Sequence, residues 1–430
     1  MSAVAGTSAP AESAPTGIDL ADPEFWRRPA PDRAAAFAEL RRLPGPVFFT
    51  ERPAAGSRPA RGFHALVRHA DVVEASRTPT VFVSGPGVTT PEPARWVRAL
   101  FGDSMVNLDD PRHAQLRRII SRAFTPRLLA RAEDDIRRVA ARLVDDVIAR
   151  RPDDFVTSVA AELPFQVICN MMGIPQEPRR SILDQVNHAS EHTGVERPLR
   201  SRIRIPGRGL RALATMQGMV ADLGRDRRSR PADDLITALV TADVDGRNLT
   251  GRELGAFFSL LLVAGVETTR NALTHGLKLL TDHPDQRDLL LSDLDRHLGG
   301  AVDEIIRHAT PIIQFRRTVA DDHELGGTRL AKGDKVVLFF GSANRDEAVF
   351  SDPDTFDITR SPNPHLGFGG GGPHYCLGAH LARQEMKVLL RELYTRLPDL
   401  RSVGEPELIP SNFDNRVKSL AFTFGPPGGR

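Results

Sequence analysis

Cysteine is scarce: Cys169 and Cys376 are the only two in a chain of 430 residues. A disulfide framework is excluded, and so low a count fits a reducing cytosol. Net charge is nearly absent as well, with 57 Lys and Arg against 55 Asp and Glu and a formal charge of +2. No overall excess commits the chain to nucleic acid or an anionic membrane, so an electrostatic partner has to be sought in a local patch. The longest apolar run, Ala256 to Val266, is closed by Glu267 and reaches about half of the ~20 residues a membrane span needs. The first sixteen residues, rich in Ala, Ser, Pro and Gly, have neither the basic start nor the apolar centre of a signal peptide. The expectation is a disordered tail over residues 1–16 on a soluble, cytoplasmic protein. Internal repeats and linkers are missing too. Length alone allows roughly three domains or one large helical enzyme, and the missing linker favours the second. What is present, 40% hydrophobic and 26% charged residues, suffices for a sizeable core.

Helical periodicity fills the first three quarters of the chain. Ala130–Arg150 sets Ile136, Val139, Leu143 and Val147 on one stripe against a charged face, the pattern of an amphipathic surface helix. Leu254–Leu280 is long and largely apolar, which predicts burial through most of its length. Strand signals come late, at Asp334–Gly341 and, more loosely, at Val417–Phe424. Between Arg345 and Tyr375 periodicity gives way to Pro, Asp, Asn and Gly, predicting a long loop, and loops of that length are usually functional.

Two segments carry chemistry. Gly369 to Gly372 are four consecutive glycines ahead of Pro373-His374-Tyr375-Cys376-Leu377-Gly378, after which apolar periodicity resumes at Leu381 and Met386. The thiol thus stands where a glycine-rich loop enters a helix, and unpaired backbone N–H groups there favour thiolate. Glycines also let a backbone lie flat against a bulky planar ligand. The alternative is a phosphate-cradling loop with an incidental cysteine, but no Lys-Ser/Thr follows the glycines and no strand clearly feeds them. The second segment, Ala264-Gly265-Val266-Glu267-Thr268-Thr269, puts an acid and a hydroxyl inside the apolar helix. A buried carboxylate needs pairing or protonation, and an interior glycine costs roughly 1 kcal/mol relative to alanine. Either the turn is widened to admit a ligand or water, or the helix is kinked and the glutamate capped.

The cysteine loop resembles the heme-thiolate signature of the cytochrome P450 family, with Phe368, Gly372, His374, Cys376 and Gly378 supplying its phenylalanine, glycines, basic residue and cysteine. It departs in one respect: Phe368 is eight residues before the cysteine, and Gly369 holds the usual place seven before. The resemblance runs from about Asp22 to near the C-terminus and implies a mainly α, single-domain P450 fold with a minor β region over residues 17–430. It implies one heme b (iron protoporphyrin IX) with Cys376 as its axial ligand, next to Phe368, Gly378 and Ala264. It assigns Glu267 and Thr268 to proton delivery during dioxygen activation, and Leu260, Val263 and Ala264 to the substrate side. His113 and Arg117 match the family's propionate pair, Arg317 a third contact and His374 a fourth. Glu-x-x-Arg occurs at several places in this chain, and only Glu304 with Arg307 lies between the acid-alcohol helix and the cysteine loop. With Arg345, in Asn344-Arg345-Asp346, the resemblance makes them a structural network. Cys169 matches only a packing helix.

The implied activity is insertion of one oxygen atom from O2 into a hydrophobic small molecule by hydroxylation or epoxidation. No flavin or iron–sulfur segment accompanies it, so electrons are expected from a separate ferredoxin and its NAD(P)H-dependent reductase. Ala264–Gly276 and Asn363–Arg383 look like actinobacterial relatives acting on sterols and branched lipids, and like secondary-metabolism tailoring enzymes. The rival readings are a peroxide-driven heme enzyme and a heme protein that binds a ligand without turnover. Arg197–Arg211 crowds six arginines into fifteen residues without an acid. It is either a solvated lid or a docking patch for an anionic substrate group or a carrier protein.

Overall fold

The computed structural model describes residues 17–51, 62–90, 104–184, 207–242 and 249–425, with the side chains of 207–215 left aside. The expected tail and residues 197–206 of the arginine-rich segment lie outside them.

Helices form where the apolar stripe and the caps agree. Pro126–Arg150 begins with Thr125 accepting the Leu128 N–H at 3.2 Å and ends on Arg151 at φ 47. Its buried stripe is Ile136, Val139, Ala140, Val144 and Val147. Leu143 is only half-buried, because at 3.6 residues per turn Val144 sits nearer the middle of the stripe. The long apolar helix opens with a capping box between Thr250 and Glu253 and runs as Gly251–Leu261. It widens to a π turn over Leu262–Val266 and resumes as Glu267–Asp282, so the widened turn expected around Gly265 is present. Gly265 itself lets a neighbour pack closely: a Cβ there would stand 2.7 Å from Cδ1 of Ile168, on the neighbouring helix Glu162–Met172. Cys169 on that helix is fully buried, and burial pushes its thiol up to about 12, the behaviour of a core hydrophobe.

Strands β1 (Val47–Phe49), β2 (Phe63–Leu66), β3 (Phe82–Val83), β4 (Gln314–Val319) and β7 (Lys335–Phe339) form one sheet in the order β1-β2-β7-β4-β3. The expected strand at Asp334–Gly341 is β7, paired parallel to β2 and antiparallel to β4. β5 (His323–Leu325) and β6 (Thr328–Leu330) make a separate hairpin. Val417–Phe424 divides between β10 (Val417–Ser419) and β11 (Phe422–Thr423), which pair with β9 (Glu407–Leu408) and β8 (Arg401–Ser402) in different ladders. Residues 345–375 contain no helix or strand. The main apolar core is helical, drawing on Leu116 through Phe424. Among the described residues no helix is long and apolar enough to cross a membrane.

Candidate active site

The glycine loop is shaped by the helix it lies on. Gly369, Gly371 and Gly372 have φ of 98, 89 and 73, a region open to glycine and strained for other residues. A Cβ on Gly372 would meet the Ser76 carbonyl oxygen at 2.2 Å, and one on Gly370 the Ser76 hydroxyl at 2.5 Å, so the loop is pressed onto the end of helix His69–Arg77. The Cys376 N–H donates to the Phe368 carbonyl at 3.0 Å, and helix Ala379–Arg396 starts three residues later. Cys376 is exposed yet recessed: burial raises its thiol above the usual value, opposed by a hydrogen bond from the Gly378 N–H and by the charges of Arg117 and Arg383. Among the described residues no group of three His, Cys, Asp or Glu side chains could hold a metal ion. A metal on this sulfur would need its other ligands from a non-protein group.

Glu267 is buried at 4% exposure and is held by Arg270 at 3.2 Å and, from the C-terminal region, by Arg416 at 4.0 Å. Arg416 also bonds Asp414 at 2.5 Å. The Thr268 hydroxyl instead donates to the Ala264 carbonyl at 2.6 Å across the widened turn. The acid and the alcohol thus have separate partners. Val263 is 57% exposed and Ala264 is exposed, although Leu262 and Val266 on either side are buried. Leu260 is half-buried. Behind them Thr269 bonds Glu385, whose carboxyl burial pushes up to about 8.

A cationic cluster gathers beside the cysteine. The His113 and His374 rings lie 4.2 Å apart, and the Ser84 hydroxyl is 3.2 Å from Nε2 of His374. Arg117 donates to the Tyr375 carbonyl at 2.8 Å. Burial, then Arg317, His113 and Arg117, push His374 down to about 3. Burial and Arg117 also lower His113, and burial brings Arg317 to about 10. Of the adjacent pair Arg316 and Arg317, it is Arg317 that bears on His374; strand alternation turns Arg316 to the other sheet face, where it reaches Thr318. The Nε2 of His113 is buried with no hydrogen-bond partner. An orphaned ring nitrogen among two histidines and two arginines, whose positive charge burial disfavours, is the chemistry of a site for carboxylates. A lone recessed thiol, exposed apolar side chains in the middle of a buried helix and this cluster together fit a heme with its propionates.

Glu304 and Arg307 form a doubly bonded pair at 2.7 and 2.8 Å with essentially no exposure. Arg345 does not join it by hydrogen bonds. Its Nη2 donates to the His308 carbonyl at 3.0 Å and its Nε faces Asp354 at 3.3 Å. The place next to Glu304 belongs to Arg360, at 3.2 Å, with Asn363 at 3.1 Å and the Asp357 N–H at 3.0 Å. Arg307 is further fixed by the carbonyls of Asn344, Pro353 and Thr355. Every polar atom of the pair is thereby matched, which its burial demands. Arg360, Arg383 and Glu385 are the residues sequence reading passes over. The available signal was position: Arg383 and Glu385 follow Cys376 by seven and nine residues on one helix.

Known proteins agree with this geometry. The family model for cytochrome P450 matches residues 92–397. A methyl-branched lipid omega-hydroxylase of Mycobacterium tuberculosis is 44% identical over 429 residues, covering 96% of each chain. A steroid C26-monooxygenase of Mycobacterium bovis is 38% identical over 427 residues, covering 97% of this chain and 94% of that one. The solved structure of Mycobacterium marinum cytochrome P450 CYP268A2 in complex with pseudoionone superposes with a TM-score of 0.88 at 40% identity, covering 97% of this chain and all 100% of the other. The chain belongs to the cytochrome P450 family and is a heme-thiolate monooxygenase.

Proposed function

We propose that this monooxygenase hydroxylates the end of an aliphatic chain on a lipid or steroid-like molecule. The observation that carries the reading is the exposed apolar surface of Val263 and Ala264 beside the Thr268 hydroxyl, which suits a hydrophobic substrate. Two near-full-length relatives, whose names place oxidation at an omega or C26 position, support the choice of a chain end.

Heme b is the cofactor in this reading, held through Cys376 and contacted by Ala264, Phe368 and Gly378; when bound it supplies dioxygen activation, and thiolate donation assists O–O cleavage. His113, Arg117, Arg317 and His374 hold the propionates, and the orphaned His113 Nε2 gains an acceptor. Leu260, Val263 and Ala264 orient the substrate and exclude water. Thr268, whose O–H donates a hydrogen bond to the Ala264 carbonyl, offers its oxygen as an acceptor. Glu267, behind it, is released from Arg270 or Arg416 to relay protons towards the site. Glu304, Arg307 and Arg360 keep the base of the site rigid, with Arg345 one contact further out. Residues 17–430 act as one domain in the cytoplasm, drawing electrons from a ferredoxin and its NAD(P)H-dependent reductase.

The test is turnover of a methyl-branched fatty acid and of a steroid with a branched side chain, with NADPH, ferredoxin and reductase. A type I spectral shift and a product carrying one added oxygen at the chain end are expected. Oxidation at mid-chain contradicts the chain-end reading. Equal product from hydrogen peroxide alone favours the peroxide-driven rival, and binding without product favours a ligand-binding role.

A further inference from the structure

We propose that Arg383, clamped by Asp303, is a positioning residue that sets the electron-donating strength of the Cys376 sulfur and hence the reduction potential of the bound heme. The inference rests on Cys376 being the axial ligand.

Arg383 lies in the first turns of the helix that follows the cysteine. Its guanidinium carbon stands 4.4 Å from the centre of the Phe368 ring, a cation–π distance. Its Nε donates to the Asp303 carboxylate at 2.6 Å, and Asp303 also faces Nε2 of His365 at 3.4 Å. The His365 ring lies 5.8 Å from that of Phe368. Phe368 is tied to the ligand directly, since its carbonyl accepts the Cys376 N–H at 3.0 Å. The order is therefore carboxylate, guanidinium, aromatic ring, thiolate. Asp303 is the residue before Glu304, so the clamp is joined to the fully buried Glu304–Arg307 pair.

A guanidinium stays charged at any working pH, so its field on the sulfur is permanent. Positive charge near the sulfur stabilises electron density held there and weakens donation toward a metal. It also favours the reduced state, which carries one more electron. Asp303 opposes this: it fixes the guanidinium over the ring and cancels part of its charge.

The two variants Arg383→Gln and Asp303→Asn, each loaded with heme, should shift the potential in opposite directions. Dye-mediated reductive titration, with no protein donor present, reads it. Loss of the cation should lower the potential and loss of the carboxylate should raise it, each by roughly tenfold in the ferric–ferrous equilibrium, about 59 mV for one electron. Simple loosening of the site would move both the same way. Arg391→Gln, on the same helix and paired with exposed Asp295 at 2.6 Å, is the control and should leave the potential unchanged. Shifts of the same sign overturn the proposal. So does an unchanged potential with slower reduction by ferredoxin, which would make Arg383 a docking residue only. If Arg383→Gln cannot hold heme, Asp303→Asn decides by its sign: a rise supports the proposal, while a fall or no change overturns it. Failure of the ligand reading itself is distinct, because the wild type would then lack the red-shifted Soret band of its reduced carbon monoxide complex.

Discussion

Thr268 bonds the Ala264 carbonyl while Glu385, on the helix after the cysteine, bonds the adjacent Thr269, and the two face different demands. The Thr268 hydroxyl is assigned to proton delivery, with Ala264 and Val263 meeting substrate, so its removal should leave binding intact. Thr268→Ala is expected to keep its type I spectral shift while consuming NADPH and oxygen with peroxide release and several-fold less product. Measured coupling equal to wild type removes Thr268 from the mechanism. Glu385 is a question of linkage. Its carboxyl, at about 8 in the folded chain against an ordinary 4.5, is protonated at neutral pH because burial disfavours the charge. Above pH 4.5 the unfolded chain gives up this proton and the folded chain keeps it. Stability from this group is thus complete below pH 4.5 and falls as pH rises towards 8, by at most roughly 1.4 kcal/mol per unit. Glu385→Gln cannot titrate and should flatten that slope, gaining stability over wild type at pH 8 but not at pH 4.5, as read by denaturant unfolding. Parallel pH profiles for the two proteins would place the buried charge elsewhere.

At the scale of elements, the glycine loop and the widened turn are each packed against a neighbour, helix His69–Arg77 for the first and Ile168 for the second. Gly372→Ala would push a Cβ towards the Ser76 carbonyl at a φ of 73. Strain of that kind costs ~1–3 kcal/mol. The loop should lift from helix His69–Arg77, lowering heme occupancy and thermal stability together, whereas Gly404→Ala, at a φ of 72 with open space around it, carries the strain without the clash. Equal losses in the two variants would mean that contact with Ser76 does not matter. Both elements were legible in the sequence because their information is local: consecutive glycines before a cysteine, and an acid, an alcohol and a glycine within one apolar helix. Arg360 was not, since it reaches Glu304 from 56 residues away out of a stretch with no periodicity. Arg345 was favoured by its motif, but its hydrogen bonds turn to His308. The split of Val417–Phe424 into two ladders was likewise hidden, because strand partners belong to tertiary structure.

For the whole molecule, a helical core running from Leu116 to Phe424 holds an acid-alcohol helix, a cationic cluster and a single recessed thiol in one arrangement. Burial first, and then the charges of Arg317, His113 and Arg117, drive His374 down to about 3, so a positive charge is disfavoured there as the site stands. In the proposed reading a dianionic cofactor would offset these costs, which would couple folding to heme binding across the site. The central claim is that Cys376 is the thiolate ligand around which all of this is arranged. The most direct test compares the reduced carbon monoxide spectra of wild type, Cys376→Ser and Cys169→Ser at matched heme content. Wild type and Cys169→Ser should both give the red-shifted Soret band of a thiolate ligand, and Cys376→Ser should lose it. A band that persists in Cys376→Ser, or vanishes in folded Cys169→Ser, contradicts the account.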